Sequence, residues 1–124
     1  MTPGLAFVLA HLLGDWILQT PYQAAHKGNG RYRNGALWRH CLVYTAVFFP
    51  VFWVLDVNFW WLGFVLATHV YVDRRTPVTW FLEHVKGNDP RDSTWTMMAI
   101  MTDQIFHLVV LCVILWAEFG WVVK

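Results

Sequence analysis

Three histidine–aspartate pairs in the 124-residue sequence share one spacing. His11 and Asp15 lie in His-Leu-Leu-Gly-Asp-Trp, His69 and Asp73 in His-Val-Tyr-Val-Asp, and Asp103 and His107 in Asp-Gln-Ile-Phe-His. An offset of four places both side chains on one face of an α-helix. Imidazole and carboxylate bind zinc, manganese and iron, and a pair one turn apart presents two such ligands from a single helix. His40 stands about one turn inside a further apolar run. The expected metal ligands are therefore His11, Asp15, His40, His69, Asp73, Asp103 and His107. This set exceeds the four positions of a tetrahedral zinc. Either two ions are bound, or one is bound and some aspartates orient histidines. Zinc is the leading expectation, with manganese or iron as alternatives. A divalent ion lowers the pKa of a coordinated water towards ~7, which would support hydrolysis. Asp103 or Asp15 would then serve as general base. Two other readings use the same residues: self-satisfied pairs acting as packing glue between helices, and a proton or ion relay.

The elements that must position these groups are strongly apolar. The chain is 57% hydrophobic, 18% aromatic and 14% charged, whereas soluble domains carry about 25% charged residues. This composition excludes a disordered chain, a nucleic-acid-binding tail and a secreted disulfide scaffold. Cys41 and Cys112 lie in apolar runs without Cys-x-x-Cys spacing and read as small buried hydrophobes. A cleaved leader is not expected, because no basic region precedes the first apolar run. The length suits one domain, residues 1–124. The fold class expected is all-α: a polytopic membrane protein with transmembrane helices at about 3–20, 36–55, 59–73 and 95–123. Pro50 should kink the second span, and the polar stretch 22–35 reads as a loop. Thr76 as N-cap and Pro77 at the first helical position open a short interfacial helix between spans three and four.

Eight of the nine basic residues fall on one side: Lys27, Arg31, Arg33 and, at the start of span two, Arg39, then Arg74, Arg75, Lys86 and Arg91. The positive-inside rule then makes both polar loops cytoplasmic and both termini external. Every His and Asp candidate sits in the cytoplasmic half of its span. A transmembrane relay would stop midway, because the outer halves are nearly devoid of ionisable groups. Lys27, Arg39, Arg74 and Arg75, with Gln19 and Gln104, could hold a substrate head group at the entrance. Topology and contact with anionic lipid account for the basic residues equally well.

The run His-Leu-Leu-Gly-Asp-Trp-Ile-Leu-Gln-Thr at 11–20, Lys27, His40 with Tyr44, His69 with Asp73, and Asp103-Gln104 with His107 together resemble an uncharacterised family of small bacterial and phage membrane proteins. That family is a domain of unknown function, and the resemblance covers nearly the whole chain. It departs at Arg74-Arg75, where the family pattern has a hydrophobic residue and a lysine. The resemblance implies a four-helix fold in the bacterial cytoplasmic membrane and brings no activity with it. More loosely, the arrangement is similar to membrane-bound metal-dependent hydrolases. The expected function is metal-dependent hydrolysis of an amphipathic, lipid-like and phosphate-bearing substrate at the cytoplasmic leaflet. The partners expected are the bilayer and that substrate, with no nucleic acid and with homo-oligomers compatible. The alternative is a non-enzymatic membrane protein: a metal-binding or ion-conducting assembly, including a phage-type pore accessory. A pore formed by one chain needs polar residues through the full thickness, which the apolar outer halves lack.

Overall fold

A computed structural model of the chain describes residues 1–120. The helices are α1 (Pro3–Leu12), α2 (Pro21–His26), α3 (Gly35–Leu55), α4 (Trp61–Asp73), α5 (Thr76–His84) and α6 (Trp95–Phe119). A π-helical turn, Leu13–Ile17, continues α1. There is no strand among the described residues. α3 and α6 are long and apolar enough to cross a membrane. α4 and the apolar stretch Pro3–Ile17 are shorter than a full span.

Local chemistry sets most boundaries. Thr2 accepts from the Leu5 amide and Pro3 opens α1, the proline using a position whose N–H would be unpaired anyway. α2 begins with a capping box. The Thr20 hydroxyl accepts from the Gln23 amide at 3.1 Å, and Gln23 Oε1 accepts from the Thr20 amide at 3.1 Å. The stretch expected to be loop thus contains a one-and-a-half-turn helix. Asn34 caps α3 by accepting from the Ala36 and Leu37 amides. α3 runs on through Pro50 to Asp56, whose left-handed backbone (φ 55°) ends it. The third helix starts at Trp61 rather than at residue 59. Asn58, Phe59 and Trp60 are instead taken up in tighter i→i+3 bonds to Trp61, Leu62 and Gly63. α5 includes Thr76, and its N-cap is Arg75. α6 ends at Phe119; residues 121–123, expected to complete the fourth span, lie outside the described residues.

α1 packs on α3, α3 on α4, α4 on α6, and α6 on α1, so the four helices surround one axis. Around one end of that axis Phe7, Tyr44, Phe48, Phe52, Val65 and Ile114 form a dry core with their neighbours. Ring centroids of Phe7, Phe48 and Phe52 lie 5.6–5.9 Å apart, within the range favoured by aromatic pairs. A second cluster, Val72, Val78, Leu82 and Ala99, seats α5 against α6. Between these apolar layers His11, Asp15, His40, His69, Asp73, Asp103 and His107 are buried. Large apolar side chains such as Leu9, Ile17, Trp53, Val54, Ile105 and Val109 are exposed on the outside.

Candidate metal centre

The cluster is assembled by three helices and the π-helical turn. His69 and Asp73 face the axis one turn apart on α4, with His69 Nε2 3.1 Å from Asp73 Oδ2. From α3, His40 Nε2 lies 2.9 Å from the same oxygen, 3.0 Å from His69 Nε2 and 3.0 Å from Asp15 Oδ1. His69 Nε2 to Asp15 Oδ1 is 3.6 Å. A tetrahedral ion with bonds of ~2.0–2.2 Å has ligand–ligand edges about 1.63 times longer, roughly 3.3–3.6 Å. The observed spacings of 2.9–3.6 Å are those of a slightly contracted cage. Asp15, His40, His69 and Asp73 can therefore hold a metal ion, and Asp15, Asp103 and His107 form a second group able to do so.

Charge favours a cation here. Asp15, Asp73 and Asp103 against Lys27 leave −2 before any histidine charge is counted, in a site where every one of these groups is buried, so the balance is made up either by protonated imidazoles or by a bound cation. Uncompensated buried charge costs several kcal/mol per ion, and one divalent ion would bring the sum to zero. The nitrogens add to the case. The two Nε2 atoms lie 3.0 Å apart, and each is also within 2.9–3.6 Å of the Asp15 and Asp73 oxygens, so four atoms of metal-ligating type crowd together. Among the described residues neither Nδ1 of His40 or His69 has a protein partner, so the carboxylate or carbonyl that usually steadies a metal-bound imidazole is not supplied by them. Stacking holds the His69 ring instead: Tyr44 lies 3.6 Å from it at 14°, and His107 4.2 Å at 26°.

The aspartates bridge the two groups. Asp73 turns Oδ2 to His40 and His69, while Oδ1 lies 2.7 Å from His107 Nε2. Asp103 Oδ2 is 3.5 Å from the same His107 nitrogen. Asp15 turns Oδ1 to the first group, and Oδ2 accepts from Gln104 Nε2 at 2.7 Å. The Gln104 amide also donates to Asp103 Oδ2 at 3.2 Å. Because carboxylates only accept, the Gln104 nitrogen must face them and its oxygen must face His11. His11 Nε2 then donates to Gln104 Oε1 at 2.7 Å, and His11 Nδ1 accepts from the Tyr44 hydroxyl at 2.9 Å. Both ring nitrogens of His11 are hydrogen-bonded, and among the described residues His11 lies outside both groups able to hold a metal ion.

The π-helical turn explains why His11 and Asp15 part company despite their spacing. Five residues per hydrogen-bonded ring break the α register, so Asp15 points to α3 and α4 and not back to His11. α1 can come close enough only because residue 14 is glycine. A Cβ there would meet Tyr44 Cδ2 at 2.9 Å and its Cα at 3.2 Å.

Lys27 closes the cluster from the end of α2. Its Nζ lies 2.7 Å from Asp73 Oδ2, 3.5 Å from Asp15 Oδ1 and 3.3 Å from His40 Nε2. Burial opposes its charge, but Asp73 and Asp15 outweigh burial and push the ammonium above the ordinary lysine value. Beside Lys27 a cavity of about 180 Å³ is lined by Asp15, Gln19, Lys27, Arg75, Asp103 and Gln104, with Trp16, Ala24 and Ile100 as its apolar part.

Of the expected head-group residues, Gln19, Lys27, Arg75 and Gln104 meet at this cavity. Arg39 is exposed elsewhere. Arg74 turns away, over the rings of Tyr32 and Tyr71 at 4.4 and 5.1 Å, and donates to the Gly30 carbonyl. His26 and His84 are exposed and bond only to carbonyls of their own helices. Tyr44 and Trp16 were not among the expected site residues. Tyr44 lies one turn after His40 on the same face, a readable signal; Trp16 Nε1 donates to Gln104 Oε1 at 3.2 Å, which no spacing announces.

An all-helical protein with buried His/Asp groups able to hold a metal ion is the class these features define. Residues 5–123 match the family described as "Protein of unknown function (DUF3307)", and the chain belongs to that family. Neither the curated proteins nor the solved structures contain a match.

Proposed function

We propose that the protein is a polytopic membrane metalloprotein that hydrolyses an amphipathic, lipid-like substrate at the cytoplasmic leaflet. The observation that carries this reading is the buried Asp15–His40–His69–Asp73 cage with a cavity that shares Asp15 as its wall. The apolar exterior around a charged interior supports a lipid setting, since water-exposed patches of such extent are rare. In this reading α1 with its π-helical turn, α3, α4 and α6 are the four spans. The first and third are short enough to require local thinning of the bilayer. The seven basic residues of the two polar connections, with Arg39 at the start of α3, then face the cytoplasm of a bacterial inner membrane.

Zinc is the favoured ion, with manganese or iron as alternatives, and when bound it would polarise a substrate oxygen and activate water. The chain's own residues do the rest. Asp15, His40, His69 and Asp73 hold the ion. Asp103 Oδ1 has no partner among the described residues and Asp103 lines the cavity, so it can take a proton there. Gln104 locks Asp15 and Asp103 relative to each other, and Trp16 and Ile100 give the cavity an apolar side. The test is a bacterial lipid extract incubated with metal-loaded protein in detergent, its products followed by mass spectrometry. New lyso-lipid, diacylglycerol or released head group that disappears in His69→Ala is the expected result. An unchanged extract with folded, metal-loaded protein would refute the hydrolase and leave the non-enzymatic metal-binding alternative.

A further inference from the structure

Six buried side-chain atoms lack a partner among the described residues, and three of them belong to residues lining the cavity beside the cluster: Arg75 Nε, Gln19 Oε1 and Asp103 Oδ1. Folded proteins keep few such atoms, and each needs an explanation. Arg75 adds two more oddities. Its backbone is left-handed at φ 79°, a conformation that non-glycine residues adopt at a cost and that gathers at ligand sites. It also takes part in no ion pair among the described residues, unlike Lys27, whose charge is engaged by Asp73 and Asp15. Gly28 permits the arrangement, because a Cβ there would stand 3.3 Å from Arg75 Cβ. The cavity therefore offers one unpaired cation and two unpaired acceptors.

We propose that this cavity receives a phosphodiester head group carrying its own N–H or O–H donor. The phosphate oxygen bonds Arg75 Nε, and the donor reaches Gln19 Oε1 and Asp103 Oδ1. The inference deepens the function proposed above by naming the head group, and it rests on that reading for the lipid setting. Inorganic phosphate suits the cavity poorly, because its second charge would face Asp103. Phosphocholine suits it poorly for a different reason: a quaternary ammonium has no proton to give to Gln19 or Asp103. Phosphoethanolamine and phosphoglycerol meet all three atoms. At about 180 Å³ the cavity is below the 300–1,000 Å³ typical of sites for whole drug-sized ligands, so it fits a head group while acyl chains stay outside.

Binding, without turnover, tests the proposal. The full chain in dodecyl maltoside, both metal-loaded and chelator-treated, is titrated calorimetrically with dihexanoyl phosphatidylethanolamine, phosphatidylglycerol and phosphatidylcholine. The acyl-free glycerophosphodiesters and inorganic phosphate are run beside them. The ethanolamine and glycerol forms should bind at least tenfold more tightly than the choline form and inorganic phosphate. Short-chain lipids outbinding their acyl-free counterparts identify a lipid source, and the reverse identifies a soluble one. Arg75→Lys, which keeps the charge and lacks Nε, and Arg75→Asn, which tolerates left-handed backbone, should each weaken both preferred ligands at least tenfold. Gln19→Leu should lower them towards the choline form and leave choline binding unchanged. Melting curves confirm that each variant is folded. Equal binding of all three head groups, binding indifferent to Arg75 and Gln19, or no binding would overturn the proposal. A protein that binds selectively yet hydrolyses nothing would keep this inference and remove the hydrolase.

Discussion

Replacing Lys27 by methionine separates a metal cage from a plain ion-pair network. The ammonium is 6% exposed and lies 2.7 Å from Asp73 Oδ2. Its removal takes the buried group from −2 to −3. Breaking a buried pair by deleting one partner costs about 3–5 kcal/mol. For a chain of this size a kcal/mol moves Tm by about 4 °C, so chelator-treated Lys27→Met should melt roughly 12–20 °C below wild type. A divalent ion between Asp15, His40, His69 and Asp73 takes over the neutralisation of the same oxygens. The metal-loaded variant then loses only some packing from a near-isosteric swap, about 1 kcal/mol, and melts within ~5 °C of wild type. The assay is a fluorescence-detected melt of detergent-purified protein with and without chelator, each variant at equal concentration. An equally large drop in both states would refute the reasoning, since the ion would not be compensating the charge that Lys27 left behind. No drop in either state would show that Lys27 does not neutralise the aspartates.

Other expectations follow from the same geometry. Gly14→Ala should destabilise the protein by about 1–3 kcal/mol, because the new methyl meets Tyr44 backbone as well as its ring; a melt and the metal content of the folded fraction check this. Asp103→Asn should retain metal and Tm yet lose turnover about 10²–10⁴-fold, whereas Asp73→Asn should lose the metal itself. Equal effects of the two substitutions, assayed by elemental analysis and product formation, would return both residues to a packing role. Because the Lys27 pKa is raised on folding, its contribution is complete below the ordinary lysine value of 10.5 and is lost as pH climbs through the higher folded value. Melts from pH 8 to 11.5 should show that alkaline loss in chelated wild type and not in Lys27→Met. Reporter fusions at Gly30 and Gly87 should read cytoplasmic, and an external reading at either would remove the proposed topology.

The parts of the site carried by α-helical spacing were legible in the sequence. His69 with Asp73 and Asp103 with His107 meet across one turn as an offset of four requires. The identical offset at His11 and Asp15 misleads, because the π-helical turn Leu13–Ile17 begins between them and no residue there advertises the change. α2 was readable in principle from Thr20-Pro21-Tyr22-Gln23, a capping box with proline at the first helical position, but six residues are too few to show periodicity. Lys27 could be assigned to a basic loop but not to the cluster, since its position depends on how that short helix returns to α3 and α4. The separation of Arg74 from Arg75 follows from one left-handed residue, which sets adjacent side chains on different faces. Sequence reading reaches helices and faces well, and reaches tertiary returns and register shifts poorly.

The central claim is that the buried cage holds a transition metal, and elemental analysis of the protein purified in detergent without chelator tests it most directly. The account predicts one metal equivalent per chain, or two if the Asp15–Asp103–His107 group also fills, with the equivalent held by the His69 cage lost in His69→Ala and the content unchanged in His26→Ala. Folded wild type that contains no metal and takes up none on dialysis against zinc, manganese or iron(II) would contradict it.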